Sequence, residues 1–329
     1  MTARSSARRA ARAFFASRSA AATVALVLVV LVFSLLNSQF LSLTNVDGIA
    51  VSASIDAIVG FGMTFVIAMR SLDLSVGSIM GFTAIAVAQL LNYSNVPLGL
   101  AILGGLAVGA GLGLANGLLV VALRLPSFVA TLATLSMIYG GELLLSNGLQ
   151  ESTTSSLYNN LVVYDIGGYV PVAVVIAVAI FGLMLILFHR TPFGRHVAAV
   201  GGSMRAAVDA GINVRRVTIG AFIVAGVCAA IGGMMTGAEL QTVDSTVGKD
   251  FELTAIAVVV VGGTSLTGGR GNLLGTAIAA VLLESIHAGL LVLNVSSLYV
   301  DLVFGGILIA ALMLDGLRRR EDRKAVLVT

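Results

Sequence analysis

The chain has 329 residues, 58% apolar and only 11% charged, with a mean hydropathy of +1.03; soluble domains carry about a quarter charged residues, so a mainly soluble protein is excluded. Runs of about 18 apolar residues recur, the length that crosses a hydrocarbon core, and the short alternating segments of a β-barrel are missing. The formal charge of +3 does not point to nucleic acid, because the basic residues cluster at the N-terminus, between 190 and 216, and after Asp315, the pattern of the positive-inside rule.

Residues 4–18 carry five arginines and no acid ahead of an apolar run from Ala20 to Leu36. That run is long enough to span and is followed by no small-residue cleavage site, so it is read as an uncleaved first helix. Arg8-Arg9 is read as cytoplasmic charge. Nine further apolar segments follow, near 49–69, 74–92, 98–123, 128–146, 169–189, 217–238, 253–263, 273–293 and 298–315. Ten crossings with both termini inside put Arg124 and the arginine-rich 190–216 loop on one side. They put the acidic 147–168 and 239–252 loops on the other. The expectation is an all-α polytopic membrane protein of about ten transmembrane helices, some broken or re-entrant, in the bacterial inner membrane. It comprises a basic cytoplasmic segment (1–19), a transmembrane domain (20–315) and a cytoplasmic tail (316–329). Segments two and eight are the candidates for a break.

The third segment opens on Arg70-Ser71-Leu72-Asp73-Leu74-Ser75-Val76-Gly77-Ser78. An acid and a hydroxyl at a helix start cap free N–H groups, and the same turn could form part of a gate; the capping reading pairs Arg70 with Asp73. The fourth segment places Gly105, Gly109, Gly113 and Gly117 every fourth residue. This is a bare ridge that lets two helices approach closely, within one subunit on the simplest reading.

The 190–216 loop sets five arginines against the single acid Asp209. Ser203 to Ala210 reads as a short helix stopped by Gly211. A structured basic helix between spans implies that something docks on it.

A third polar interruption runs Gly262-Gly263-Thr264-Ser265-Leu266-Thr267-Gly268-Gly269-Arg270-Gly271-Asn272. Such backbone is tolerated at membrane depth only against protein or a watery cavity. It is no Walker A loop, since no Gly-Lys-Ser/Thr follows four spacer residues. Ser71-Leu72, Gly77 and Gly81 recur as Ser265-Leu266, Gly271 and Gly275 at an offset of 194, a weak internal echo. Cys228 reads as core packing. The intramembrane ionisable residues are Asp56, Glu142, Glu284, His287 and Asp301, functional candidates by default. Glu284 and His287, one turn apart, read either as a satisfied polar pair or as the relay of a stand-alone proton-coupled secondary transporter. No catalytic triad, paired carboxylates at a polar cleft or metal-ligand spacing is present in the sequence, so the chain is expected not to be an enzyme.

These motifs resemble the permease subunits of ribose-type carbohydrate ABC importers. The resemblance rests on Asp73-Leu74-Ser75-Val76-Gly77-Ser78, on Thr191 to Val214, on Ala255-Ile256-Ala257 and on Gly262 to Gly271, and spans roughly residues 40 to 315. It implies a dimer of permeases, either two copies or one copy with a related permease. It also implies a cytoplasmic ABC ATPase that holds the ATP and Mg, a periplasmic solute-binding protein, and a monosaccharide or similar small polar solute. No cofactor is expected on this chain itself. The family's coupling role falls on Gly202, Ser203, Arg205, Ala206, Ala207, Asp209 and Gly211. A pathway or gate role falls on Asp73, Ser75, Gly77, Thr264, Ser265, Gly268, Gly269 and Arg270. Arg70-Ser71-Leu72 departs from the family's glycine-rich lead, and Ser203 stands where Asn is common. Near the last helix Ala288-Gly289 replaces Asn-Gly and Val300 replaces Gln.

Overall fold

Apolar runs set the helix lengths in this chain, and glycine and hydroxyl residues set where the helices stop. The computed structural model describes residues 19–93, 96–153, 155–296 and scattered residues between 299 and 313. Helix α1 (Ala20–Leu36) turns through a short 3-10 segment into α2 (Leu43–Ala68). Asn37 fixes that corner: its Oδ1 accepts the Gln39 amide, and its Nδ2 donates to the Val292 carbonyl. Ser42 caps α2 by accepting from the Asn45 amide, a contribution of about 1 kcal/mol. Next come α3 (Val76–Asn92), α4 (Leu98–Ala122) and α5 (Ser127–Ser146). A small cap follows, made of β1 (Glu151–Ser152), α6 (Ser156–Val163), β2 (Asp165–Ile166) and β3 (Val170–Pro171). The remainder is α7 (Val172–His189), α8 (Pro192–Gly202), α9 (Met204–Asp209), α10 (Val214–Leu240), β4 (Thr242–Val243), α11 (Phe251–Val261) and α12 (Leu273–Val292).

Strand β1 pairs antiparallel with β4, Glu151 opposite Val243, and β2 pairs with β3, Asp165 opposite Pro171. The β1–β4 ladder ties the two acidic loops together at one end of the bundle. The arginine-rich α8–α9 segment occupies the other. Among the described residues six helices, α2, α4, α5, α7, α10 and α12, are long and apolar enough to cross a membrane, and α1, α3 and α11 are shorter apolar helices. The tenth expected segment, 298–315, is described only at scattered residues. Asp301, the basic N-terminal residues and the 316–329 tail lie outside the described residues.

The second segment is not broken. It forms one helix of 26 residues that begins at Leu43, because Thr44, Asn45 and Asp47 make polar first turns that hydropathy leaves out. Segment eight is short: α11 has 11 residues and ends at the glycine run.

The core lies between α2 and α10, whose central residues are largely buried, whereas α4, α5 and α7 expose most of their apolar surface. Leu144 on α5 is 82% exposed, a waste of burial in water but the expected surface toward lipid or another subunit. The glycine ridge of α4 packs inside the chain, against α10. A Cβ at Gly105 would lie 2.7 Å from the Met234 sulfur, and one at Gly117 would lie 2.8 Å from the Ile219 Cα. Gly109 and Gly226 each press on the other's carbonyl. Rising numbers on α4 meet falling numbers on α10, so the two helices are antiparallel. Cys228 is fully buried.

Candidate coupling and gating site

Three backbone irregularities converge at the basic end. The first is the Ala68–Ser75 link between α2 and α3. Backbone N–H groups inside a bilayer must find partners within the protein, and hydroxyls on α5 supply them. Ser127 Oγ accepts from Leu72 N–H, and Thr131 Oγ1 accepts from Leu74 N–H one turn deeper, both at 3.0 Å. The extended link therefore climbs along α5 into the bundle before α3 starts, which is why α3 is short.

Asp73 and Ser75 are fully buried. Asp73 Oδ1 accepts the Ser75 amide at 2.9 Å and the Ser75 hydroxyl at 2.7 Å. Asn116 Nδ2 donates to Ser75 Oγ at 2.7 Å, and Thr134 Oγ1 donates to Asn116 Oδ1 at 2.6 Å. One polar chain thus joins the link to α4 and α5 through the buried interior, where such networks gain strength and specify position. The capping expectation changes in detail: Ser75 is the N-cap residue of α3, but its side chain makes no cap hydrogen bond, because its backbone is already helical and its oxygen accepts from Asn116 instead.

The expected Arg70–Asp73 pair does not form. Arg70, in a left-handed conformation with φ 64°, turns away to the other two irregular segments. Its Nη2 donates to the Gly202 carbonyl at 3.2 Å and its Nε to the Thr267 carbonyl.

The second segment is α8–α9. Thr191 caps α8 with Pro192 in its first turn, the position where proline has no amide to lose. Ser203 closes α8 and opens α9, its Oγ accepting from Ala206 N–H at 3.3 Å. At the far end Gly211 N–H donates to Val208 O and Ile212 N–H to Ala207 O, the paired bonds of a Schellman stop. Gly211 sits at φ 78°, a region costly for any residue with a Cβ. Ala207 is buried, and Ser203, Arg205, Ala206 and Asp209 are exposed. Met204 and Val208, one turn apart, are 59% and 57% exposed, so the short helix offers an apolar pair flanked by charge. Sequence reading concentrated on the charges and passed over this pair.

The third segment is the glycine run between α11 and α12. Thr264 and Ser265 are buried. Asn272 organises the run, donating from Nδ2 to Gly262 O at 2.7 Å and from N–H to Thr264 Oγ1 at 2.9 Å, while its Oδ1 caps α12 at Gly275. Ser265 Oγ and Thr267 Oγ1 share a hydrogen bond at 2.9 Å. Gly268 and Gly269, at φ 76° and 79°, bring the turn against α2, where Gly269 N–H donates to Ala68 O at 2.7 Å. Gly201 closes the knot from the α8 side: a Cβ there would overlap the Ala68 carbonyl and lie 2.6 Å from Gly269 N. The two halves of the sequence echo therefore meet, with the end of α8 packed onto both. Arg270 is exposed and stands outside the knot.

Of the remaining candidates, Gly77 lies away from this knot, against Gly248 and Glu252. Glu284 and His287 pair at 3.6 Å, with Asp56 of α2 beside Glu284. Sequence reading missed Asn116, Thr131 and Thr134. Asn116 had a usable signal, being the one amide within the fourth apolar segment.

Sequence comparison places the chain. Residues 45–312 match the family described as the branched-chain amino acid transport system permease component. The chain belongs to this permease family. Among similar proteins, the ribose import permease protein RbsC of Bacillus subtilis is 38% identical over 294 residues, covering 88% of this chain and 90% of the relative. The D-allose transport system permease protein AlsC of Escherichia coli is 33% identical, covering 89% and 90%. The L-arabinose ABC transporter permease protein AraH of Azospirillum brasilense is 32% identical, covering 88% and 85%. No solved structure matches. The family description names amino acids and the relatives name sugars, so membership establishes a multi-pass membrane permease component and leaves the solute to be argued.

Proposed function

We propose that this chain is the transmembrane permease subunit of an ABC importer for a neutral monosaccharide or a similar small polar solute. A periplasmic binding protein delivers the solute, and a cytoplasmic ATPase, which holds ATP and Mg, drives transport. Two permeases, identical or related, form the working pair in a bacterial inner membrane, with the basic end and both termini cytoplasmic. The names of three similar proteins, each a permease for a pentose or hexose, support the solute class.

The observation that carries the reading is the continuity between α9 and the knot. Ser203 caps the exposed helix, and the two residues before it, Gly201 and Gly202, touch Ala68, Gly269 and Arg70. A push on Met204, Arg205, Val208 and Asp209 would move both irregular links together, and each link leads directly into a helix of the bundle. The Asp73–Ser78 and Thr264–Gly271 turns would then shape the gate. Exchanging the charges, Arg205→Glu with Asp209→Arg, tests the docking role: solute uptake should fall while the chain folds normally, and undiminished uptake would remove these side chains from the interface.

A further inference from the structure

We infer that the cleft between α3, α5 and residues 245–252 is a transit contact site for a neutral polyhydroxylated solute; this rests on the importer reading above. The cleft has a volume of about 220 Å³, and its polar lining includes Ser78, Tyr139, Glu142, Lys249, Asp250 and Glu252. At ~30 Å³ per water molecule that is room for roughly seven waters, the scale of one sugar ring.

The cleft exists because α3 is glycine-faced where the 245–252 segment descends from the acidic end. A Cβ at Gly77 would overlap the Gly248 carbonyl and lie 2.9 Å from Glu252 Oε2. A Cβ at Gly81, one turn on, would lie 2.5 Å from the Val247 carbonyl and 2.7 Å from Glu142 Oε2. Two carboxyl groups from different parts of the chain thereby converge on one face of α3.

Glu142 is the telling residue. It is 1% exposed, and its Oε1 has no hydrogen-bond partner. The large majority of buried polar side-chain atoms in native proteins are paired; among the described residues Asp56 Oδ2, Asp73 Oδ2, Thr83 Oγ1 and Glu142 Oε1 are not, and of these Glu142 alone lines the cleft, where its free oxygen marks a place for a donor brought from outside. Sugar hydroxyls are such donors, and Tyr139, 39% exposed, adds a ring on which the C–H face of a sugar can lie.

Charge selects against other ligands. Three carboxyl groups, Glu142, Asp250 and Glu252, line the cleft beside the single cation Lys249, and none of the four forms an ion pair within 4.0 Å among the described residues. An anionic solute would find one cation, Lys249, and no arginine in the lining. Nor does any group of three or more His, Cys, Asp or Glu among the described residues have the spacing to hold a metal ion. A pathway site must bind weakly enough to release, so millimolar affinity is expected.

The test is saturation-transfer NMR on the full chain in lipid nanodiscs, with D-ribose, D-allose, L-arabinose and a sugar phosphate as probes. The expected result is transfer to a neutral sugar at millimolar concentration and none to the sugar phosphate. Affinity should fall about tenfold in Glu142→Gln and, in a variant that leaves the buried carboxyl intact, in Tyr139→Ala. Transfer to none of the neutral sugars from folded chain, affinity unchanged from the parent in both variants, or a sodium-dependent thermal shift lost in Glu142→Gln would overturn the site. No ATPase or ATP takes part in this measurement, so failure of the importer reading, seen as ATP-independent uptake, is a separate result.

Discussion

Gly201 at the end of α8 rests on the carbonyl oxygen of Ala68 at the end of α2, with no room for a Cβ between them. Gly202, its neighbour, has nothing within 4 Å of the equivalent position. Adjacent glycines therefore have opposite tolerances. Gly201→Ala must part α8 from α2 or displace Gly269, which costs about 1–3 kcal/mol by the usual scale of overpacking. The purified variant should melt at lower temperature and lose uptake, whereas Gly202→Ala should melt as the parent does. Equal melting temperatures for the two variants would remove the knot as a tight backbone contact.

The Asp73–Ser75–Asn116–Thr134 chain predicts a particular non-additivity. Asn116→Ala removes one hydrogen bond from each of two buried hydroxyl groups, Ser75 keeping its bond to Asp73 Oδ1 and Thr134 its bond to the Thr131 carbonyl, at about 1 kcal/mol for each bond lost. Adding Thr134→Val to that variant should then cost less than Thr134→Val alone, because the bond to Asn116 is already gone, whereas adding Ser75→Ala still takes a donor from the buried Asp73 carboxyl. Thermal melts of the single and combined variants form the double-mutant cycle. Strict additivity would show that the four side chains act independently.

Much of this was legible in the sequence because the causes are local. The Ser203 cap and the Gly211 stop mark α9 within a few residues, and apolar length alone places α4, α5, α7 and α12 almost to the residue. The glycine ridge on α4 likewise announced close packing. What escaped depends on distance along the chain. Arg70 has an acid three residues away and still bonds to Gly202 and Thr267, because its left-handed backbone turns it from Asp73, and no local spacing encodes that. The short start of α3 has a similar origin: hydroxyls on α5, more than 50 residues later, satisfy the link and let the helix begin inside the bundle. Strands of two residues carry no periodicity at all, so the β1–β4 ladder was invisible.

Gly211→Ala isolates the stop of α9. Space is open around it, yet φ is 78°, so the cost is conformational, about 1–2 kcal/mol for a left-handed residue with a Cβ. The expected result is a nearly normal fold with faster amide hydrogen exchange across Met204–Asp209 and reduced coupling of ATP hydrolysis to uptake. Unchanged exchange in that helix would contradict the role assigned to the Schellman stop.

Glu284 and His287 separate the importer from a proton-coupled carrier. In an importer their pairing is structural, so a Glu284→Gln/His287→Gln variant should keep ATP-dependent uptake within about a factor of two to three, the size of a modest polar-pair loss. Uptake abolished together with a dependence on the proton gradient in the parent would favour the carrier.

The most direct measurement is solute uptake by the tagged chain purified from its native membranes and reconstituted with whatever subunits accompany it, with and without ATP. A Walker-motif ATPase should co-purify in stoichiometric amount, and uptake should require both ATP and an added solute-binding protein. Recovery of the chain alone, still taking up solute without ATP, would contradict the importer function.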